Sequence, residues 1–383
     1  MEHRNEKQRN TGFGVFFISG ICAISAGVVV SILQETYGFA YGMTGTLLSM
    51  MSIGNLLAGL GAGLLPGKIG MKKTMAVLTG GYALGYMAMA VSGWIPVLTA
   101  AFFAVGIAKG STLNCCTVLV GDNSRDRTKG MNILHSFYAL GALLCPFLIA
   151  AALKGGDWLV TAVLSGCGLL VWAAFLAVPM EKRQGKEEGR TDWSFLKNRK
   201  FWLLTGLLFC QNAAETSVTG WLVTYFKGSG ILSGALSAYT VTVMWSATLI
   251  ARMLIAFVIP LKNAYTAMMK MGVFCMVFYI GLMAAESQTA AILLLFAFAF
   301  AMAGMNPTAV ASAGKMTSVT SMGVMLPAAS SGAILMPWII GLVAEKFGIS
   351  VGMAANIVPC AGMFLFSFAV WRVSLKEQPF IDK

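Results

Sequence analysis

GALLCPFLIA (141–150) and GAILMPWIIG (332–341) both open on Gly-Ala, place Pro five residues after that Gly, and carry apolar residues at matching positions. They lie 191 residues apart in a chain of 383. A ten-residue recurrence at half the chain length points to a duplicated unit, and parallel duplicated halves are a transporter signature. Working outward, each segment sits inside an apolar run long enough to cross about 30 Å of hydrocarbon. Ten further runs of that kind flank them. The expected spans are 12–36, 41–65, 74–93, 96–120, 131–153, 158–179, 201–226, 233–259, 265–284, 289–312, 320–343 and 350–371. The longest break, 181–200, is charged and lacks apolar periodicity. It divides the chain into an expected N-terminal six-helix half (1–180), a cytoplasmic linker (181–200) and a C-terminal six-helix half (201–383).

Composition agrees with a membrane solvent. Apolar residues make up 57% and charged residues 11%, against about 25% charged in soluble domains. Mean hydropathy is +0.77. The 43 glycines suit close helix approach, which in lipid replaces the hydrophobic drive for association. The polar first eleven residues run into a span-length apolar stretch, so no cleavable leader is expected. The eight cysteines lie in apolar stretches without a C-x-x-C pair, which suits small packing residues better than metal or redox ligands. The net charge of +12 is explained by topology. With the N-terminus in the cytoplasm, 22 of the 27 Lys and Arg fall on cytoplasmic segments, three on outer loops (Lys154, Lys227, Lys346), and two inside spans (Lys109, Arg252). That bias gives both termini a cytoplasmic side and an inner-membrane location. It accounts for the net charge without a nucleic-acid partner; the bilayer itself is the expected environment.

The loop after span two reads Gly63-Leu-Leu-Pro-Gly67-Lys68-Ile-Gly70-Met-Lys72-Lys73. With twelve spans, a 6+6 duplication and a long central loop, this resembles the major facilitator superfamily, whose loop pattern has the same glycines and basic residues. Gly67 stands where that family writes Asp. The resemblance implies an all-α membrane fold of two pseudo-symmetric six-helix halves, with gating or structural roles for Gly63, Gly70, His135 and Arg252. Three segments narrow it. Gln211-Asn-Ala-Ala-Glu215-…-Gly220-Trp221, Asn132-Ile-Leu-His135-…-Gly141-…-Pro146 and Gly106-Ile-Ala-Lys109-Gly110-…-Asn114 resemble runs in the fucose/proton symporter and sodium-dependent glucose transporter families. The acidic residue those families tend to carry in span four is replaced here by the neighbourhood of Ser111 and Thr112.

Ionisable groups at bilayer depth are costly and mark function by default. Glu215 lies mid-span with Gln211 and Thr219 on one helix face. It suits a coupling carboxylate that binds and releases a proton, a ligand for sugar hydroxyls, or a structural contact between helices. Lys109, deep in span four, either pairs with Glu215, attracts an anionic solute, or takes the place of a coupling cation. Asn114, Asn212 and Asn306 both donate and accept, as a hydroxyl-rich solute requires and as helix-to-helix contacts also do. Asn306 precedes Pro307, which frees a carbonyl and permits a bend in span ten. His135 is a proton shuttle or a gate contact. Trp221 stacks on a sugar or belongs to the interfacial aromatic belt. Gly59, Gly63 and Gly67 form a small-residue packing face.

The chain lacks a G-x-x-x-x-G-K-[ST] run and an H-E-x-x-H run, so neither direct ATP drive nor zinc hydrolysis has its residues. The sequence therefore points to a secondary transporter, not an enzyme, and one needing no cofactor or metal. Its expected partners are a small polar solute, most readily a sugar, and a coupling proton, with sodium as the other choice. It is expected to work as a monomer. The alternatives are an organic-anion or drug exporter and, from another class, a non-transporting membrane sensor. The charge bias makes a direct prediction: alkaline phosphatase fused after Lys154 or Lys227 is active, and the same enzyme fused after Arg190 is inactive while a fluorescent protein there folds. The reverse pattern in whole cells overturns the orientation.

Overall fold

The computed structural model describes residues 2–69, 71–124, 127–178, 194–259, 261, 263–314 and 319–377. Among them the long regular elements are all α-helices, in the order α1 (Glu2–Tyr37), α2 (Tyr41–Ile69), α3 (Met71–Thr79), α4 (Gly81–Val91), α5 (Ile95–Asp122), α6 (Arg127–Leu153), α7 (Asp157–Ala177), α8 (Arg199–Ser229), α9 (Gly234–Phe257), α10 (Ala264–Met283), α11 (Gln288–Met302), α12 (Met305–Gly314), α13 (Val319–Phe347), α14 (Ile349–Ala354) and α15 (Ile357–Glu377). These fifteen helices fill the twelve expected spans because three spans are interrupted. Span three is α3 and α4, broken at Gly80. Span ten is α11 and α12, broken at Ala303–Gly304. Span twelve is α14 and α15, broken at Ala355–Asn356. Two of the breaks have a proline in register to cause them: Pro307 lies four residues past Ala303 in span ten, and Pro359 four residues past Ala355 in span twelve. The chain divides into two compact units, Met1–Glu187 and Glu188–Lys383.

Within the first unit, the close packing depends on bare backbone. A methyl group added at Gly141 on α6 would lie 2.0 Å from the Phe17 carbonyl oxygen of α1. Within the second unit, a methyl at Gly332 on α13 would lie 2.2 Å from the Phe209 carbonyl oxygen of α8. The two halves of the sequence repeat thus make the same contact, each fifth-position helix resting on the first helix of its own half. The turns agree as well. Gly156 before α7 has φ 103° and Gly348 before α14 has φ 87°, a region open to glycine and closed to most other residues. These two turns lie 192 residues apart.

Buried hydroxyls are met inside each unit. Tyr82 pairs with Ser19 at 2.8 Å, and Tyr86 bonds Ser25 and donates to the Cys22 carbonyl. In the second unit Tyr279 donates to the Met353 carbonyl at 2.6 Å, beside the break in span twelve. Outward faces are apolar instead. On α4, Leu84 is 72% and Val91 is 76% exposed, with Met87 between them, while Tyr82, Tyr86 and Met89 on the opposite side are buried. A stripe of this kind would be a liability in water and is at home against acyl chains. All eight cysteines are free, seven of them buried. The turn Gly348-Ile-Ser350-Val-Gly352 has G-x-S-x-G spacing. A nucleophile elbow needs a strand before its helix, whereas here the run follows α13 and Ser350 is exposed at the start of α14.

Most of the expected linker lies outside the described residues. Its end is ordered onto the second unit. A 3-10 turn covers Ser194–Lys197, Phe195 meets Phe201 edge to face, and Trp202 donates to the Leu196 carbonyl at 2.8 Å. Helix α8 consequently starts two residues before the expected span, capped by Asn198 accepting from the Lys200 amide.

Backbone contact at Gly332 leaves no flexible group to yield, so Gly332→Val is expected to destabilise by about 1–3 kcal/mol, seen as a lower thermal midpoint in detergent. Gly166→Ala, with open space around it, leaves that midpoint unchanged or raises it.

Candidate functional site

Ten helical runs of the described residues are long and apolar enough to cross a membrane, and α8 is not among them. The reason is chemical: its middle carries Gln211, Asn212 and Glu215. Such a helix stays in the hydrocarbon only if its polar groups are met by protein or by solute. The structure shows how they are met. Gln211 and Glu215 are one turn apart on the same face, and the Gln211 Nε2 donates to the Glu215 carboxylate. Across from them, Asn306 is the second residue of α12, and its Nδ2 donates to Gln211 Oε1 at 2.8 Å and to Asn212 Oδ1 at 3.4 Å. An ionised carboxylate only accepts hydrogen bonds. Gln211 must therefore turn its NH2 toward Glu215, which leaves its carbonyl for Asn306. Gln211 is 1% exposed, whereas Asn212, Glu215 and Asn306 are half-buried. The cluster thus has a buried hinge residue and three partly accessible polar groups, with spare donors and acceptors for a third party.

Four of the six residues picked from the sequence as solute ligands are brought together here, all within the second unit. Lys109 and Asn114 sit on α5 of the first unit. Lys109 is half-buried and Asn114 exposed, and a spacing of five puts them on different faces of the helix. Beside Lys109, Ser111 and Thr112 are fully buried, and among the described residues their hydroxyls have no hydrogen-bond partner. The third member of the α8 polar stripe, Thr219, spends its hydroxyl on the Met244 thioether of α9 at 3.7 Å.

Trp221 departs from both sequence expectations. It is fully buried and donates to the Pro337 carbonyl of α13 at 3.0 Å, so it neither stacks on a solute nor sits in an aromatic belt. His135 is exposed on α6, its ring edge-on to Phe16 at 5.7 Å. Gly63 lies within α2, and Gly70 lies outside the described residues. Arg252 on α9 donates from Nε to the Ala303 carbonyl at 3.3 Å, a contact that sequence reading missed although Pro307 signalled the break.

The family model described as Major Facilitator Superfamily matches residues 12–326. The chain belongs to the Major Facilitator Superfamily. It is accordingly a multi-pass membrane protein and a transporter, not an enzyme. Among solved structures it is similar to a bacterial homologue of the human lysosomal transporter Spinster in an inward-facing, unoccupied conformation, with TM-score 0.80 and 13% identity over 97% of this chain and 98% of that one. It is also similar to the nucleoside transporter NupG, with TM-score 0.73 and 16% identity over 97% of this chain and all of that one. At such identities the likeness is one of fold. A probable sulfoacetate transporter, SauU of Cupriavidus necator, is 21% identical over 237 residues, covering 56% of this chain. The match spans 55% of that protein's own length.

Because Gln211 bonds on both sides, removing either neighbour leaves it a buried unmet group. Asn306→Ala and Glu215→Ala are each expected to cost about 1–3 kcal/mol. With Gln211→Ala each forms a non-additive pair, coupled by about 0.5–3 kcal/mol. Thermal midpoints of the purified single and double variants measure this, and strict additivity refutes the network.

Proposed function

We propose that this superfamily member is a secondary active transporter that moves a small polar, hydroxyl-bearing solute, most readily a sugar, in symport with a proton. The observation that carries the reading is the Gln211–Glu215–Asn306 network, in which neutral amides and one carboxylate offer both donors and acceptors at mid-span. A hydroxyl both gives and takes a hydrogen bond, so it can enter such a network without leaving any member unmet. Glu215 is the coupling group in this reading, since a proton on its free oxygen adds a donor beside the remaining acceptor, so that proton and solute hydroxyl are bound together. The span-seven motif Gln211 to Trp221, which resembles the fucose/proton symporter and sodium-dependent glucose transporter families, favours a sugar. The transport cycle is alternating access by two six-helix halves (1–180 and 201–383), in the inner membrane, with both termini cytoplasmic. Lys109 and Asn114 contribute from span four, and Gly63, Gly70 and His135 serve gating or structure.

A second reading has its own observation. Lys109 is a cation deep in span four, where a neutral-sugar site has no need of one, and the relative from Cupriavidus necator is described as a probable sulfoacetate transporter. Both favour a small organic anion as the solute.

Reconstitution in liposomes separates the two. Uptake of labelled sugars, nucleosides and sulfonated or carboxylated anions is followed with an imposed proton or sodium gradient. Sugar uptake driven by the proton gradient, with gradient dependence lost in Glu215→Gln, is the expected result. Sugar uptake whose gradient dependence survives Glu215→Gln sinks the coupling role. Anion uptake abolished by Lys109→Ala, with no sugar carried, replaces the first reading by the second.

A further inference from the structure

Pro307 is the third residue of α12. It has no amide hydrogen, and its ring crowds the carbonyl four residues earlier. Both effects fall on Ala303. Helix α11 ends at Met302, Ala303 and Gly304 form a turn, and α12 resumes at Met305. The carbonyl so freed needs another donor. The donor comes instead from α9, where Arg252 Nε lies 3.3 Å from the Ala303 oxygen. Two further facts make an arginine apt here. Its guanidinium is charged at any working pH and planar, so it donates in a fixed direction. It also stands at the C-terminal end of α11, where the helix dipole favours a cation. The break is closely seated: a methyl on Gly304 would meet Ile255 of α9 at 2.5 Å and Met271 of α10 at 2.7 Å. Asn306 lies two residues past Gly304 and reaches Gln211 Oε1 at 2.8 Å.

We infer that Arg252 is a positioning residue which holds span ten open at Ala303–Gly304 and so presents Asn306 to Gln211 and Asn212, without touching solute itself. The role of the presented Asn306 in solute binding rests on the function proposed above; the hold on the break does not. The test therefore reads backbone and not transport, and the two ideas can fail separately.

Hydrogen–deuterium exchange of the purified full-length protein in detergent is compared for the wild type, Arg252→Ala, Pro307→Ala and the double variant. Peptides covering 299–310 are expected to exchange about tenfold faster in Arg252→Ala, as a single lost hydrogen bond of this kind implies, while peptides from α10 and α15 keep their rates. Pro307→Ala restores an amide hydrogen that closes onto Ala303, so the double variant exchanges as slowly as the wild type or more slowly. Unchanged exchange in Arg252→Ala, faster exchange spread over every helix, or failure of the second substitution to rescue overturns the inference. If Arg252→Ala does not fold, the double variant is expected to fold, and its failure to do so counts equally against it.

Discussion

A polar group inside hydrocarbon must find its partner within the protein, and that constraint organises this molecule. Helices meet it for their own backbones, but every irregularity leaves carbonyls over. Arg252 of a neighbouring helix takes up the carbonyl of Ala303, while Tyr279 and Tyr86 place their own buried hydroxyls on the carbonyls of Met353 and Cys22, which have other donors as well. Two of these three acceptors lie at or beside interrupted spans. The same rule acts on side chains, where Gln211 is buried only because Glu215 and Asn306 use both of its ends. Structure and candidate site are thus held by one kind of bond, and the site differs in keeping three of its members partly accessible.

Duplication supplies the frame on which this differs from half to half. Gly141 and Gly332 press their helices onto equivalent carbonyls, and Gly156 and Gly348 turn the chain at equivalent corners. Against that shared frame, the fourth and tenth spans have diverged. Helix α5 runs unbroken and carries Lys109, whereas its counterpart is cut at Ala303–Gly304 and carries Asn306. The first unit brings a cation to a continuous helix; the second brings a neutral amide to a discontinuous one.

Much of this was legible in the residues. Twelve apolar runs and the Gly-Ala-…-Pro repeat carry the fold, because span length and small-residue contacts are written locally. Gln211 and Glu215 are visible as a pair through helical spacing alone. The bonds from Asn306 to Gln211 and Asn212 are not, since they join residues 95 and 94 positions apart and depend on how span ten is cut. Trp221 misled for a related reason: position along a helix says how deep a ring lies, not whether a neighbouring helix covers it. The break in span three carries no proline at the interruption, whereas the break in span twelve has Pro359 four residues past Ala355, the register that Pro307 holds to Ala303 in span ten. Arg252 reads from the sequence as a gating or structural charge inside span eight, but its acceptor is a backbone atom, and backbone atoms have no letter in a sequence.

The polarity of α8 reaches beyond the folded state. A segment with Gln, Asn and Glu at its centre partitions poorly into a bilayer by itself, since charged residues there cost about 2.5–3.5 kcal/mol while each leucine returns only about 0.3–0.6. During synthesis this helix emerges straight after the charged central loop and before α13, its packing partner across Gly332, has been made. Its entry into the membrane must lean on helices still to come, so the second half assembles as a group and not one span at a time.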